Sequence, residues 1–258
     1  MAGARSKQPV DGLFLLSLDG GGVRGLSSLL VLKQIMEAID PKHPPKPCEY
    51  FDMIGGTSTG GLIAIMLRRM RLTVDECILA YSEPASKVFN KVNHRINIRN
   101  GETQGRFDHI ALKREIKSLL KSHRMDPESP LADPDEGGSC KVFVCATNQR
   151  TSHPVVFSLY YNPRRGSEWF PTVTIWRAAR ATSAATTFFY PINIDGETFI
   201  DGATGANNPV NYLWSEAGDI WGDGKGLDES LVQCLVSIGT RKPDLGPLAP
   251  ILPMWAEL

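Results

Sequence analysis

The sequence predicts an α/β fold in three layers (α/β/α), with a mainly parallel central sheet between two layers of helices. Three observations carry this reading. Strand-like and helix-like segments alternate along most of the chain, the pattern of consecutive β-α units. The strand-like segments, Leu13–Leu18 and residues 141–146 and 231–238 among them, are nearly continuous apolar runs, so both of their faces are expected to be covered. Two segments run directly into glycine-rich turns that open helices, at residues 19–25 and 56–60. With 258 residues, 42% of them apolar, the chain has the material for one large domain. No internal repeat and no linker-like stretch divides it. Residues 1–11 read as a flexible N-terminal segment and 12–242 as the domain. The Pro-rich residues 243–258 read as a tail or linker, consistent with truncation from a longer chain.

In order, Leu13–Leu18 is the first buried strand and feeds Asp19-Gly20-Gly21-Gly22-Val23-Arg24-Gly25. Residues 26–39 follow as a helix, with Leu29, Leu30, Leu32, Ile35, Met36 and Ile39 at helical spacing. Asp40-Pro41 ends it, and a Pro-rich loop runs through Pro47. Residues 50–54 are the second strand, and the apolar residues 62–67 belong to the helix behind the next turn. Thr73 is placed to cap a helix over Val74–Val88. Residues 90–105 are polar and aperiodic and read as a surface excursion, whereas 107–120 are amphipathic and helical. Residues 126–139, rich in Pro, Asp and Gly, make a loop. Strands at 141–146 and 155–160 precede a helix over 172–185. A short strand at 198–200 leads into Asp201-Gly202-Ala203. Asn208 and Pro209 suit the cap and first position of a helix through about Ile220. Residues 231–238 are the last buried strand.

Ser58 is the first candidate for chemistry. In Gly56-Thr57-Ser58-Thr59-Gly60 it stands between a strand and a helix, the context in which G-x-S-x-G forms a nucleophile elbow. The helix N-terminus behind it offers N–H groups and positive partial charge to an oxyanion. An activated serine needs a base. The Ser, Asp/Glu, His order of α/β-hydrolases is excluded, because no histidine follows His153 whereas the best acid, Asp201, lies beyond it. His94, His109, His123 and His153 read as solvated or structural. Asp201 remains. It ends an apolar strand, Gly202 and Ala203 leave room beside it, and desolvation would raise its pKa. An Asx-turn accounts for it equally well.

The first glycine loop also has two readings. Gly20-x-Gly22-x-x-Gly25 after a strand formally matches a dinucleotide fingerprint, which wants an acid at the end of a second strand about twenty residues on. Glu37 and Asp40 have that distance but end the first helix, which misplaces the ribose contact. The other reading is an oxyanion hole, in which the glycines let backbone N–H groups approach a ligand. Arg24 would orient that loop or attract a phosphate; a salt bridge serves as well.

Lysine plus arginine and aspartate plus glutamate both number 28, so no net charge draws nucleic acid over long range. Five cysteines without a C-x-x-C point to a reducing, intracellular compartment. The five histidines show no metal-ligand spacing. Met1-Ala2-Gly3-Ala4-Arg5-Ser6-Lys7 lacks the apolar core of a signal peptide, and no apolar run approaches the length of a bilayer span.

Three motifs in order, residues 19–25, residues 56–60 and Asp201-Gly202-Ala203, resemble those of the patatin-like phospholipase family. The stretch Ile175-Trp176-Arg177-Ala178-Ala179-Arg180-Ala181-Thr182-Ser183-Ala184-Ala185, then Asn207-Asn208-Pro209, and Ser237-Ile238-Gly239-Thr240 resemble it further. The similarity covers about residues 12–242. It is closer to calcium-independent phospholipases A2 and related microbial proteins than to bacterial toxins. The resemblance implies a patatin-like fold and a Ser–Asp dyad without histidine, Ser58 as nucleophile and Asp201 as base. It implies an oxyanion hole among Gly20, Gly21, Gly22, Val23, Arg24 and Gly25. The N–H groups of Gly21 and Gly22 are its expected donors, with Thr59 N–H beside them. Gly56, Gly60, Gly202 and Ala203 are implied as structural support. Thr186 stands where the family commonly has Pro, a departure that touches local packing only. The implied activity is phospholipase A-type hydrolysis of glycerolipid acyl esters, in the cytoplasm and in transient, peripheral contact with a membrane. No cofactor, metal or nucleic acid is implied, and regulatory domains are expected in a longer parent chain. A silent lipid-binding module and a small-ester carboxylesterase using His153 are the competing expectations.

Overall fold

A computed structural model of the chain describes residues 12–88, 107–132, 140–166, 171–186 and 188–240. The readings made for residues 1–11, for 90–105, for the 133–139 part of the loop and for 243–258 lie outside the described residues. Among the described residues seven strands form one sheet: β1 (Leu13–Leu18), β2 (Met53–Thr57), β3 (Lys141–Asn148), β4 (Pro154–Ser158), β5 (Ile192–Ile194), β6 (Glu197–Asp201) and β7 (Val232–Ile238). The centre, β7-β1-β2-β3, is entirely parallel. The additions at the β3 side, β4, β6 and β5, are antiparallel. The helices are α1 (Gly25–Ile39), α2 (Pro47–Tyr50), α3 (Thr59–Arg68), α4 (Val74–Val88), α5 (His109–Ser122), α6 (Ile175–Thr182), α7 (Ala203–Ala206) and α8 (Val210–Trp221).

Side chains alternate across a strand, and on β1, β2 and β3 both faces are largely buried. Strand β7, expected to be a buried strand, is mostly half-buried, because among the described residues it stands at the end of the sheet with β1 as its partner. Leu16, Leu18, Ile54, Val142 and Val144 pack with Leu29, Leu32, Ile63 and Leu67 of α1 and α3. Leu15, Met53, Phe143 and Cys145 point the other way, onto Leu213 and Ala217 of α8. The three-layer expectation holds for this reason: each central strand has two apolar faces and two covering layers. Among the described residues no helix is long and apolar enough to cross a membrane.

Some boundaries differ from the sequence reading. Pro47, read as loop, occupies the first position of α2. That turn delays the second strand to Met53–Thr57, through two glycines. A Cβ on Gly55 would overlap the Phe143 ring, so the gap in the strand is filled by its neighbour. The helix read over 172–185 is shorter, Ile175–Thr182. Beyond it Ala184 turns its carbonyl to the Asp201 N–H (3.0 Å). Pro209 precedes α8 rather than opening it. Asn208 Oδ1 still accepts from the Val210 N–H at 2.9 Å, so the capping chemistry is kept one residue early. Strand β5 was not read at all, although Asp195-Gly196, both at positive φ (49° and 93°), is a two-residue hairpin signal. Thr73 caps α4 as expected: its Oγ1 accepts from Glu76 N–H (3.2 Å), and Glu76 Oε2 accepts from Thr73 N–H (2.8 Å).

Candidate active site

Ser58 lies where β2 ends and α3 begins, with φ 54° and ψ −121°. Positive φ in a non-glycine residue is strained backbone. Its neighbours show why the turn is so tight. A Cβ on Gly56 would overlap the Gly60 carbonyl, and a Cβ on Gly60 would overlap the Leu18 carbonyl of β1. The flanking glycines are therefore demanded by contact between strand, turn and helix. The Ser58 N–H donates to Thr182 Oγ1 (2.8 Å), and the Thr182 hydroxyl donates to the Cys145 carbonyl (2.7 Å). Thr182 is fully buried and ties α6 and β3 to the elbow.

Asp201 reaches the same place by an exchange of strands along one edge of β3. Strand β2 pairs with residues 141–145 and ends at Thr57, opposite Cys145. Strand β4 occupies the opposite edge, over residues 143–147. From Ala146 onward the edge that β2 leaves is taken by β6, with Asp201 opposite Ala146. The last residue of β6 thus meets the turn that ends β2. Ser58 Oγ donates to Asp201 Oδ2 at 2.6 Å, and Asp201 Oδ1 accepts from the Ala203 N–H at 2.7 Å. The Asx-turn and the contact to Ser58 coexist, one on each carboxylate oxygen. A Cβ on Gly202 would overlap the Cys145 carbonyl, so the strand can leave β3 only through glycine. Asp201 is 2% exposed, and burial pushes its carboxyl up to about 6 against the hydrogen bonds from Ser58 and Ala203.

The loop of residues 20–25 faces Ser58. The Gly20 N–H is bound to the Asn207 carbonyl (3.0 Å), the Arg24 N–H to the Gly21 carbonyl (3.3 Å) and the Gly25 N–H to the Gly22 carbonyl. These residues build the loop with their amides engaged. Among the described residues no group accepts from the N–H of Gly21 or Gly22. The loop's carbonyls are held by side chains: Gly20 by Thr240 Oγ1 (2.9 Å), and Gly22 by Thr59 Oγ1 (2.9 Å) and Tyr81 OH (2.7 Å). Gly22 has φ 57°, which favours glycine. Val23 and Arg24 are exposed at the rim, and Arg24 Nε donates to the Gly21 carbonyl (3.4 Å). Thr59 is the first residue of α3, where helix N–H groups lack intrahelical partners.

A cavity of about 890 Å³ opens at this point. Ser58, Asp201, Asp19, Asn207 and Thr240 form its polar end, and most of the remaining wall is apolar. Asp19 is a second carboxyl here, raised to about 6 by burial, with Oδ1 buried and unpartnered. His153 is exposed on the β3–β4 hairpin, and neither it nor His43, His109 or His123 lines the cavity; His94 lies outside the described residues. No group of three or more His, Cys, Asp or Glu among the described residues is arranged to hold a metal ion. Sequence reasoning missed the clamping roles of Thr182, Tyr81 and Thr240. Thr182 and Thr240 stood inside stretches singled out for other reasons. Tyr81 is one aromatic among the apolar positions of α4, and nothing in its spacing sets it apart.

Comparison with known proteins identifies a family and several relatives. The model of the family described as patatin-like phospholipase matches residues 16–214. Phospholipase A I of Arabidopsis thaliana is 28% identical over 283 residues, covering 90% of this chain and 21% of its own length. Calcium-independent phospholipase A2-gamma of Rattus norvegicus is 28% identical over 90% of this chain and 29% of its own. A cGAMP-activated phospholipase of Vibrio cholerae is 32% identical over 76% of this chain and 55% of its own. The chain spans between about a fifth and just over half of these relatives.

Proposed function

The chain belongs to the patatin-like phospholipase family, and on that premise we propose that it is a serine lipid acyl hydrolase of phospholipase A type, working through Ser58 and Asp201. The observation that carries the reading is the 2.6 Å hydrogen bond from Ser58 Oγ to Asp201 Oδ2 at the mouth of an apolar cavity. Asp201 takes the Ser58 proton as Oγ bonds to the acyl carbon of a glycerolipid. The oxyanion is received by the Gly21 and Gly22 N–H groups, with Thr59 N–H beside them. The ester C–O bond then breaks, and the proton on Asp201 passes to the departing lysolipid alkoxide. Water repeats the sequence: it gives a proton to Asp201, attacks the acyl carbon, and Ser58 leaves with that proton as the fatty acid is released.

A carboxylate can serve as base without histidine because its environment has raised its pKa to about 6. At neutral pH it is ionised, yet basic enough to share the serine proton. The free thiols of all five cysteines support a reducing, cytoplasmic setting. Substrate held in a bilayer requires transient docking at its surface. The test is fatty acid release from mixed phospholipid vesicles in the presence of a chelator. Wild type is expected to release acyl chains and Ser58→Ala to release none above background. Equal release by both would sink the assignment of Ser58.

A further inference from the structure

The cavity walls have an order along the helices. On α3 the lining residues are Leu62, Ile65, Met66 and Met70. Counted from Ser58 they fall at i+4, i+7, i+8 and i+12, one stripe of the helix. The cavity therefore follows α3 from the serine to the turn beyond its C-terminus. On α5 the lining residues Leu112, Ile116 and Leu119 form a matching stripe, which starts beside Phe107. Phe107 stacks on Phe188, a residue exposed at the mouth (ring centroids 5.6 Å apart). Helix α6 runs back the other way, with Ile175 deep and Ser183 next to the Asp201 turn. Among the described residues Glu115 is the one carboxylate on the wall away from the polar end, and it lies 3.7 Å from Arg114 Nε.

We propose that this cavity is a ruler for a single acyl chain, with Ser58 at its origin and Met70 and Leu119 at its end. The proposal rests on the reading of Ser58 as the acylated residue. The ten residues of α3 and the turn at Arg69 and Met70 carry the wall from Ser58 to Met70, a depth of about 18 Å where each residue advances about 1.5 Å, enough for about fourteen carbons rising roughly 1.3 Å each. On α5 the stretch from His109 to Leu119 covers about 15 Å, and Phe107 and the cap Asp108 extend it toward the mouth. Beyond this level the chain closes the end. Arg71 reverses direction at φ 53°, the Leu72 N–H returns to the Met66 carbonyl (3.2 Å), and Leu72 and Leu120 are buried in the core. Chain length is set by Met66, Met70 and Leu119, while the polar end near Asp19, Asn207 and Thr240 receives the glycerol side of the ester.

Saturated fatty acids of about eight to eighteen carbons, displacing a fluorescent fatty-acid probe, test the ruler without requiring turnover. Affinity is expected to rise about fourfold per added carbon, as for burial of one methylene, up to about fourteen carbons and to level off beyond. An unbroken rise to eighteen carbons, or no dependence on length, overturns the proposal. Met66→Trp plugs the channel two-thirds of the way down and should move the break to about nine carbons. Met70→Ala opens the half-buried end and should move the break to longer chains, so the test survives if the tryptophan variant does not fold. A break that stays in place in folded Met66→Trp and Met70→Ala also overturns it. The same series as p-nitrophenyl esters separates the two readings. Absence of hydrolysis at every length, with the binding break intact, defeats the catalytic assignment and leaves the ruler standing.

Discussion

A serine held at φ 54° stores on the order of 1–2 kcal/mol of backbone strain. It persists because its surroundings over-determine it: Thr182 holds its N–H, and its neighbours leave no space for another path. Asp201 carries a cost of a different kind. An unfolded aspartate titrates near 3.9, whereas buried Asp201 titrates at about 6. The native state therefore keeps a proton over an interval in which the unfolded chain has released it. Its contribution to stability is fully present below about pH 4 and is lost as pH rises through about 6. Asp201→Asn is accordingly expected to raise the melting temperature at pH 8 relative to wild type, by up to about 3 kcal/mol in stability, and to show no such gain at pH 4. In wild type, kcat/KM should rise through about pH 6 as Asp201 ionises and then level. Asp19 also titrates at about 6. If Asp19→Asn keeps the limb in place, Asp201 is its source; a displaced limb would transfer the role to Asp19.

Elements meet here with almost no clearance, and the glycines of the elbow are where that shows. Gly60 belongs to α3, yet its missing Cβ is what lets the helix lie against the end of β1. Gly60→Ala would set a methyl onto the Leu18 backbone, which cannot give way as a side chain can. A loss of roughly 2–4 kcal/mol is expected in urea unfolding. Gly166→Ala is the comparison: φ is 83° there, but nothing lies within 4 Å of the added Cβ. Only conformational strain is introduced, costing about 1 kcal/mol. Equal losses at the two positions would mean that contact at the elbow is looser than the geometry requires. The elbow was legible in the sequence because glycines flank a serine between a strand and a helix. The shorter α6 and the strand β5 were not. A helix end at Thr182 depends on where Ala184 must point its carbonyl, and three-residue β5 has too few positions for a period to register.

On the scale of the molecule, the site lies at one end of the parallel sheet, and the opposite layer is locked by buried charge. Glu216 of α8, 5% exposed, accepts from Tyr160 OH (2.7 Å), Asn162 Nδ2 (3.0 Å) and Arg165 Nε (2.8 Å). Arg165 also donates to the Val156 carbonyl and to Ser158 Oγ, so the network fastens the end of β4 and the loop after it to α8. Glu216→Ala would take the acceptor from the buried Tyr160 hydroxyl and from Arg165 Nε, and leave the Arg165 charge without its carboxylate, and should cost about 3 kcal/mol. The expected readout is a lower melting temperature with kcat unchanged well below it, because Glu216 is no part of the cavity wall. A loss of kcat in the folded variant would show that the α8 layer reaches the site after all. Several features were decided by the sequence alone. Apolar runs covered on both faces determined the layered α/β class, and residues 19–25, 56–60 and 201–203 marked the candidate site, since glycine and serine at those spacings are local requirements. The meeting of Ser58 with Asp201 was decided only in three dimensions. It depends on β6 taking the edge of β3 that β2 vacates at Thr57, which brings together two residues 143 positions apart in the sequence. The raised carboxyl of Asp201, the engaged amide of Gly20 and the depth of the cavity along α3 likewise arise from packing among distant segments, and no local pattern encodes them.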